Sequence, residues 1–148
     1  MIAAVTSLRA LDDYPLVTFD KIRFADTDPM GHVNNATLAT FLETGRVEML
    51  HPDGGSLAEP GCGWVIARLA VDFVGELRWP GNVHIGTGVT RVGSSSVGLE
   101  QVLVAGEDVV ARAETVIVQF DETSRRPEPL GEATRERFAR WRLDTDTA

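Results

Sequence analysis

The sequence predicts an α+β fold: one strand, one long apolar-faced helix, and then a run of four more strands. Two observations carry this. Leu38, Phe41, Leu42, Gly45 and Met49 recur at i, i+3, i+4, i+7 and i+11, which is one face of an α-helix. From residue 64 onward the chain alternates apolar and polar residues in four segments separated by short turns. A sheet that must bury one face beside a single long apolar helix is expected to wrap around it.

Taken in order, residues 1–15 show little periodicity and are expected to be a loose arm. Residues 16–25 form the first strand, with Val17, Phe19 and Ile22 among polar neighbours. Residues 26–35 are polar and turn-forming. The helix runs from residue 36 to about His51, with Asn34 and Asn35 at the N-cap and Pro52 blocking its continuation. His51 at that end suits the helix dipole and is read as structural. Residues 52–63, with DGG and PGCG, form an irregular connection. The strands follow at 64–74, with Val65, Ala67, Leu69, Val71 and Phe73 on one side, then at 82–92, 97–104 and 109–120. Their connections are short, so these four are expected to form an antiparallel meander. Residues 132–142 read as a short C-terminal helix, and the last residues should fray. No repeat or second domain is visible, so residues 1–148 are read as one domain.

Composition narrows the function. At 148 residues the chain can bury its own core, and its mean hydropathy of −0.04 suits a soluble protein. No apolar run is long enough to span a bilayer, and no basic region precedes an apolar core at the N-terminus, so neither membrane insertion nor a secretory leader is expected. Cys62 is the single cysteine, which excludes an internal disulfide and fits a reducing cytoplasm. It has no readable base partner and is taken as an ordinary loop residue. A net charge of −8 argues against a general nucleic-acid surface, while leaving room for local arginines to hold a phosphate-bearing ligand.

The informative stretch is 23–50, in which an acidic loop runs into the positive end of the helix. Unpaired N–H groups there suit an anion or a developing oxyanion. The run Phe24-Ala25-Asp26-Thr27-Asp28-Pro29-Met30-Gly31-His32-Val33-Asn34-Asn35, followed by Phe41-Leu42-Glu43-Thr44-Gly45-Arg46, resembles the signature of the 4-hydroxybenzoyl-CoA thioesterase family of hotdog-fold acyl-CoA thioesterases. Further on, VDFVGELRWPGNVHIGT resembles the family's central strands. RVGSSSVGLEQ and VVARAETVIVQFDETSRRPEPL resemble its last strands and closing segment. The resemblance covers most of the chain. It implies a hotdog fold, in which a five-stranded antiparallel sheet wraps a long central helix. It also implies a homodimer at least, with active sites at the dimer interface; homotetramers are common in such families.

Thioester hydrolysis needs a nucleophile, or a base that activates water, and donors for the tetrahedral oxyanion. The resemblance assigns the catalytic carboxylate to Asp28 and the carbonyl-polarising donor to the backbone N–H of Asn35. It leaves open whether Asp28 forms an anhydride or acts as a general base. His32 either tunes the site or packs the loop. Asn34 is a cap first and a substrate contact second. Glu43 is a secondary catalytic candidate, because some hotdog thioesterases use a helix carboxylate; it is also spaced to pair with Arg46. Asp26 is expected to bond the loop backbone, and His84, in a strand pattern, to be structural. Asp26, Asp28 and His32 match no strong metal-ligand spacing, and the resembling family needs no metal or other cofactor.

Coenzyme A carries several phosphate charges, so Arg91, Arg125 and Arg126 are candidate contacts. Ser95 and Ser96 either meet its pantetheine arm or form a bulge. None of the serines has a readable His–Asp partner. The expected activity is hydrolysis of an acyl-CoA to free acid and CoA. Two alternatives stand beside it. One is a hotdog enoyl-CoA hydratase or dehydratase, whose Asn-Pro-Leu-His-like loop the Asp28–His32 spacing matches poorly. The other is a non-catalytic acyl-CoA binding module.

Overall fold

In the computed structural model, which describes residues 7–144, the chain forms β1 (Leu16–Ile22), α1 (Asn35–Leu50), β2 (Cys62–Phe73), β3 (Gly81–Val92), β4 (Ser96–Ala105), β5 (Asp108–Asp121) and α2 (Glu132–Ala139). The five strands make one antiparallel sheet in the order β1-β3-β4-β5-β2. This is the hotdog arrangement, with α1 packed against β1, β3 and β4.

The predicted helix face is the buried one. Leu38, Phe41, Leu42, Gly45 and Met49 are all inside, joined by Leu50 and, against expectation for a charged residue, Arg46. Asn34 caps the helix by accepting the Ala36 N–H at 2.8 Å. At the other end His51 turns back, its N–H on the Val47 carbonyl, and Pro52 follows. Leu38, Phe41 and Leu42 meet Val83, Ile85 and Leu103 of the sheet, and Met49 and Leu50 meet Val89, Leu99 and Ile117.

The expected four-strand meander holds only for β3, β4 and β5. Strand β2 lies at the far edge, beside β5, and β1 occupies the place beside β3. Three inter-strand steps of roughly 4.8 Å separate β2 from β3, and the seven residues 74–80 can extend across about 23 Å, so a short connection is long enough to skip two strands. That crossing segment buries Leu77, whose carbonyl accepts the Val33 N–H at 2.7 Å. It thereby fixes the residues just ahead of α1.

Three boundaries differ from expectation for local reasons. Strand β1 stops at Ile22, because the Asp26 carboxylate takes the Arg23 N–H at 2.8 Å and winds Phe24–Asp26 into a single 3₁₀ turn. Strand β2 starts at Cys62, so this residue is on a strand, not in the loop. Its register shifts between Ile66 and Arg68, so that Ile66, Leu69, Val71 and Phe73 lie opposite Ile117, Thr115, Ala113 and Ala111. Val65 therefore does not share the face of Leu69. Helix α2 ends at Ala139, because the chain turns to pair with β3: the Val89 N–H donates to the Trp141 carbonyl and the Leu143 N–H to the Val89 carbonyl, both at 2.9 Å.

The expected loose arm is corrected from Ser7 onward; residues 1–6 lie outside the described residues. Glu100, buried on β4, accepts hydrogen bonds from Ser7 Oγ at 2.9 Å, Arg9 Nη1 at 3.0 Å and Tyr14 Oη at 2.6 Å. Arg9 Nη2 also donates to the Asp144 carbonyl at 2.8 Å, so one guanidinium ties both ends of the described chain to the sheet. Burial and the neighbouring Glu100 carboxylate push the Tyr14 phenol well above its ordinary range. These contacts are between side chains far apart in sequence, which periodicity does not report.

Gly45 sets how closely α1 approaches the sheet. A Cβ there would lie 2.6 Å from Ile85 Cγ2 and 2.8 Å from both Gln101 Nε2 and Thr87 Oγ1. Gly45→Ala is therefore expected to destabilise the protein, even though alanine favours helix by about 1 kcal/mol. Overpacking of this kind typically costs about 1–3 kcal/mol, so thermal denaturation followed by circular dichroism should show a melting temperature lower by about 2–12 °C. An unchanged or raised melting temperature would contradict the close-approach reading.

Candidate active site

The loop between β1 and α1 is closed by backbone bonds. The Asn34 N–H donates to the Asp26 carbonyl at 3.0 Å, and Thr27 and Val33 form an antiparallel bridge. Asp26 is buried. Burial alone would raise its pKa, but the hydrogen bonds and charge of Arg23 outweigh that and hold the carboxyl below its usual range. Asp26 thus bonds the loop, as expected.

Asp28 to Gly31 is a tight turn. The Gly31 N–H donates to the Asp28 carbonyl at 2.9 Å, and the Met30 N–H to Asp28 Oδ1, also at 2.9 Å. Pro29 supplies the fixed φ at the second position, and Gly31 takes a φ of +87° that a side chain would strain. The aspartate therefore does serve the turn, but with one oxygen. Its other oxygen, Oδ2, lies 4.0 Å from His32 Nδ1, too long for a direct hydrogen bond. The Asp28 side chain is one-fifth exposed, and no hydrogen bond to Oδ2 occurs among the described residues. Arg78, from the crossing segment, holds the turn through Nη1 on the Gly31 carbonyl at 3.2 Å.

Next along the chain, the helix start leaves a donor open. Asn34 Oδ1 takes the Ala36 N–H, and the Asn34 carbonyl takes the Thr37 N–H at 2.9 Å. Asn35 is the first helical residue, and its N–H has no partner among the described residues. The helix dipole adds positive potential at that point. Exposed Phe24, Met30 and Trp79 surround the loop, with the Phe24 and Trp79 rings in edge-to-face contact at 5.4 Å. A carboxylate oxygen, an open N–H at a helix N-terminus and an apolar rim are the parts that acyl transfer uses.

The other candidates lie elsewhere in the chain. Arg91, Ser95 and Ser96 sit at the β3–β4 hairpin, where Arg91 Nη2 donates to Ser96 Oγ at 3.3 Å and the Ser95 carbonyl accepts the Gln119 N–H. Arg125, at φ +62°, stacks over Phe120 at 4.9 Å, and the Arg126 carbonyl accepts the Asp121 N–H. The Asp28 loop leaves β1 where Ile22 meets Gly81, at the start of β3, whereas these residues lie beyond its end. A strand of 12 residues spans roughly 36 Å. One chain therefore does not bring the two groups together. His84 lies on β3 near Phe19 and Glu43 is exposed on α1. No group of His, Cys, Asp and Glu suited to a metal ion occurs among the described residues.

Three residues with a place at the helix–sheet contact escape the sequence pattern. The spacing pairs Arg46 with Glu43. Instead Arg46 turns inward, Nη1 lying 3.4 Å from Gln101 Oε1, and the two form no ion pair. A signal is present, since residue 46 falls on the apolar stripe, four positions after Leu42. Gln101 and Trp64 carry no such signal. Burial raises the Cys62 thiol pKa, and the carboxylates of Asp121, Glu128, Glu59 and Glu122 raise it further. A thiol held protonated is a poor nucleophile. Cys62→Ser is expected to leave acyl-CoA hydrolysis within about two-fold of the parent in a free-thiol assay; a loss of most activity would assign Cys62 a chemical role.

Comparison with known proteins bears on the same loop. The family model of the thioesterase-like superfamily matches residues 22–138. The acyl-CoA thioester hydrolase YbgC of Escherichia coli is 26% identical over 114 residues, covering 74% of this chain and 85% of that protein. Among solved structures, a thioesterase of Thermus thermophilus complexed with coenzyme A and Zn is 29% identical, with a TM-score of 0.76 over 88% of this chain and 96% of that one. A Pseudomonas aeruginosa protein, PA5185, is 25% identical, with a TM-score of 0.81 over 90% of this chain and 96% of that one.

Proposed function

Because the chain belongs to the thioesterase-like superfamily and is a thioester hydrolase, we propose that it cleaves acyl-CoA with Asp28 as the reacting carboxylate and the Asn35 N–H as the carbonyl-polarising donor. The observation that carries this reading is the helix start, where an unpartnered N–H follows directly on a turn that leaves Asp28 Oδ2 open. A thioester carbonyl that accepts from Asn35 gains positive character at carbon. Asp28 then acts in one of two ways. Oδ2 attacks that carbon, expels the CoA thiolate and leaves an anhydride that water hydrolyses. Alternatively, Oδ2 takes a proton from a water whose oxygen makes the attack. Both routes end in free acid and CoA, with the thiolate taking up a proton. His32, beside Asp28, is suited to orienting that carboxylate.

The active assembly is a homodimer at least, paired through β2. That strand is a 12-residue sheet edge with Val65, Ile66, Leu69 and Phe73 exposed, and such an edge is normally covered. Antiparallel pairing about a two-fold axis reverses the partner's strand direction. The partner's end of the sheet carrying Arg91, Ser95, Ser96, Arg125 and Arg126 then approaches Asp28 and Asn34, where coenzyme A phosphates and the pantetheine arm need partners. The Thermus thermophilus structure with coenzyme A supports a CoA-borne substrate.

Asp28→Asn should lower kcat by at least about 10²–10³-fold, in line with the roughly 3–4 kcal/mol that one transition-state contact supplies. Its melting temperature should stay close to the parent's. Free-thiol release from aromatic, short-chain and long-chain acyl-CoAs tests this directly, and an unchanged rate would remove Asp28 from the reaction. Sedimentation should find no active monomer; an active monomer would overturn the shared site.

A further inference from the structure

We propose that the cavity beside Arg46 receives the distal carboxylate of a short ω-carboxyacyl group, and that Arg46 makes such acyl-CoAs the preferred substrates. The inference rests on the hydrolase reading above and names the acyl class for it.

Arg46 is an unusual residue to find inside. It is 4% exposed, on the buried side of α1, and the ion pairs among the described residues do not include it. Its one hydrogen bond is the 3.4 Å contact with Gln101 Oε1, which occupies Nη1 alone. Glu43, one turn earlier, is close enough to act on it electrostatically but is solvent-exposed. A guanidinium offers five donors in a planar fork that fits a carboxylate. A guanidinium this far inside with one long hydrogen bond has donors to spare, so the site suits an anion that is not part of this chain.

The space is there to receive one. Arg46 lines a cavity of about 180 Å³ between α1 and the β2–β5 edge, which Glu43 and His51 also line and which Leu50, Ile66 and Ile117 wall. Trp64 lines it too, and adds an aromatic wall. A dry cavity of 150 Å³ takes a benzene-sized guest, so this one suits a chain of about five carbons whose polar end meets the Arg46 guanidinium.

A neighbouring copy's β2 does not supply the anion. The acidic residue of that strand, Asp72, lies opposite Arg112, on the sheet face away from Ile66 and Ile117. The same antiparallel pairing that joins the two copies sets the Arg46 end of one beside the Asp28 end of the other. An acyl group attacked at Asp28 of one protomer thus points its far end at Arg46 of the partner.

The test is a matched pair of substrates, glutaryl-CoA and pentanoyl-CoA, which differ in the terminal carboxylate. The parent protein should show a kcat/KM for glutaryl-CoA about 10-fold or more above that for pentanoyl-CoA. Arg46→Met should lose about 10–100-fold on glutaryl-CoA, the size expected for hydrogen bonds to a charged group, and stay within about three-fold on pentanoyl-CoA. Arg46→Lys, which keeps charge without the fork, should fall between and serves if the methionine variant folds poorly. No preference in the parent, or an equal loss on both substrates, would overturn the proposal; an equal loss would place Arg46 in service of packing or of Asp28 instead. Thermal-shift titration of the parent with the same two compounds separates this failure from that of the hydrolase reading. A larger shift with glutaryl-CoA that Arg46→Met abolishes supports the anion site whatever the turnover, and equal shifts reject it.

Discussion

The contact on which the rest of the structure depends is the seat of α1 at Gln101. This side chain is fully buried on β4, and its Nε2 donates to the Leu42 carbonyl at 2.9 Å and to Thr87 Oγ1 at 3.0 Å. Gly45 lets the helix come down far enough for those bonds to form. A buried amide of this kind is costly if either partner is lost, so the helix has one depth and one rotation that satisfy it. Everything functional follows from that placement. The Asn34 cap and the open Asn35 N–H are fixed because the helix cannot slide, and Arg46 faces inward because it is one residue beyond Gly45.

What the sequence reveals and what it hides divide along a physical line. The helix is legible because its apolar residues share a face that only packing against a sheet can bury. The Asp28–Gly31 turn is legible because Asp, Pro and Gly each occupy the position their backbone chemistry favours. The edge position of β2 is not, because a short connection reports how far the chain must reach and not how many strands it passes. The Glu100 clasp is hidden for a related reason: Ser7, Arg9 and Tyr14 are brought together by the sheet, from a segment with no period of its own. Sequence patterns speak for local geometry, and these features are tertiary.

The site itself is half legible. Asp28 and Asn35 fall within one short stretch, and the structure keeps them on one loop and one helix start. The arginines and serines proposed for coenzyme A stand out by chemistry alone, and the register sets them at the other end of the sheet. Within one chain the two groups have no common site. Between two chains paired through β2 that separation is what a shared site requires, since a two-fold axis exchanges the ends of the sheet.

Arg46 sharpens this point. A charged residue on an apolar helix face breaks the local rule that otherwise shapes α1. The bond to Gln101 is too long to compensate for the loss of water around a guanidinium. Replacing such a group by an apolar side chain of similar volume is often neutral or stabilising, so stability gives no reason for it to be charged. A rule broken without a compensating contact inside the chain points to a contact outside it. The cavity at its side gives that contact a place. The same edge that leaves β2 uncovered lies beside Arg46, and the proposed second copy and anionic acyl group would close both gaps.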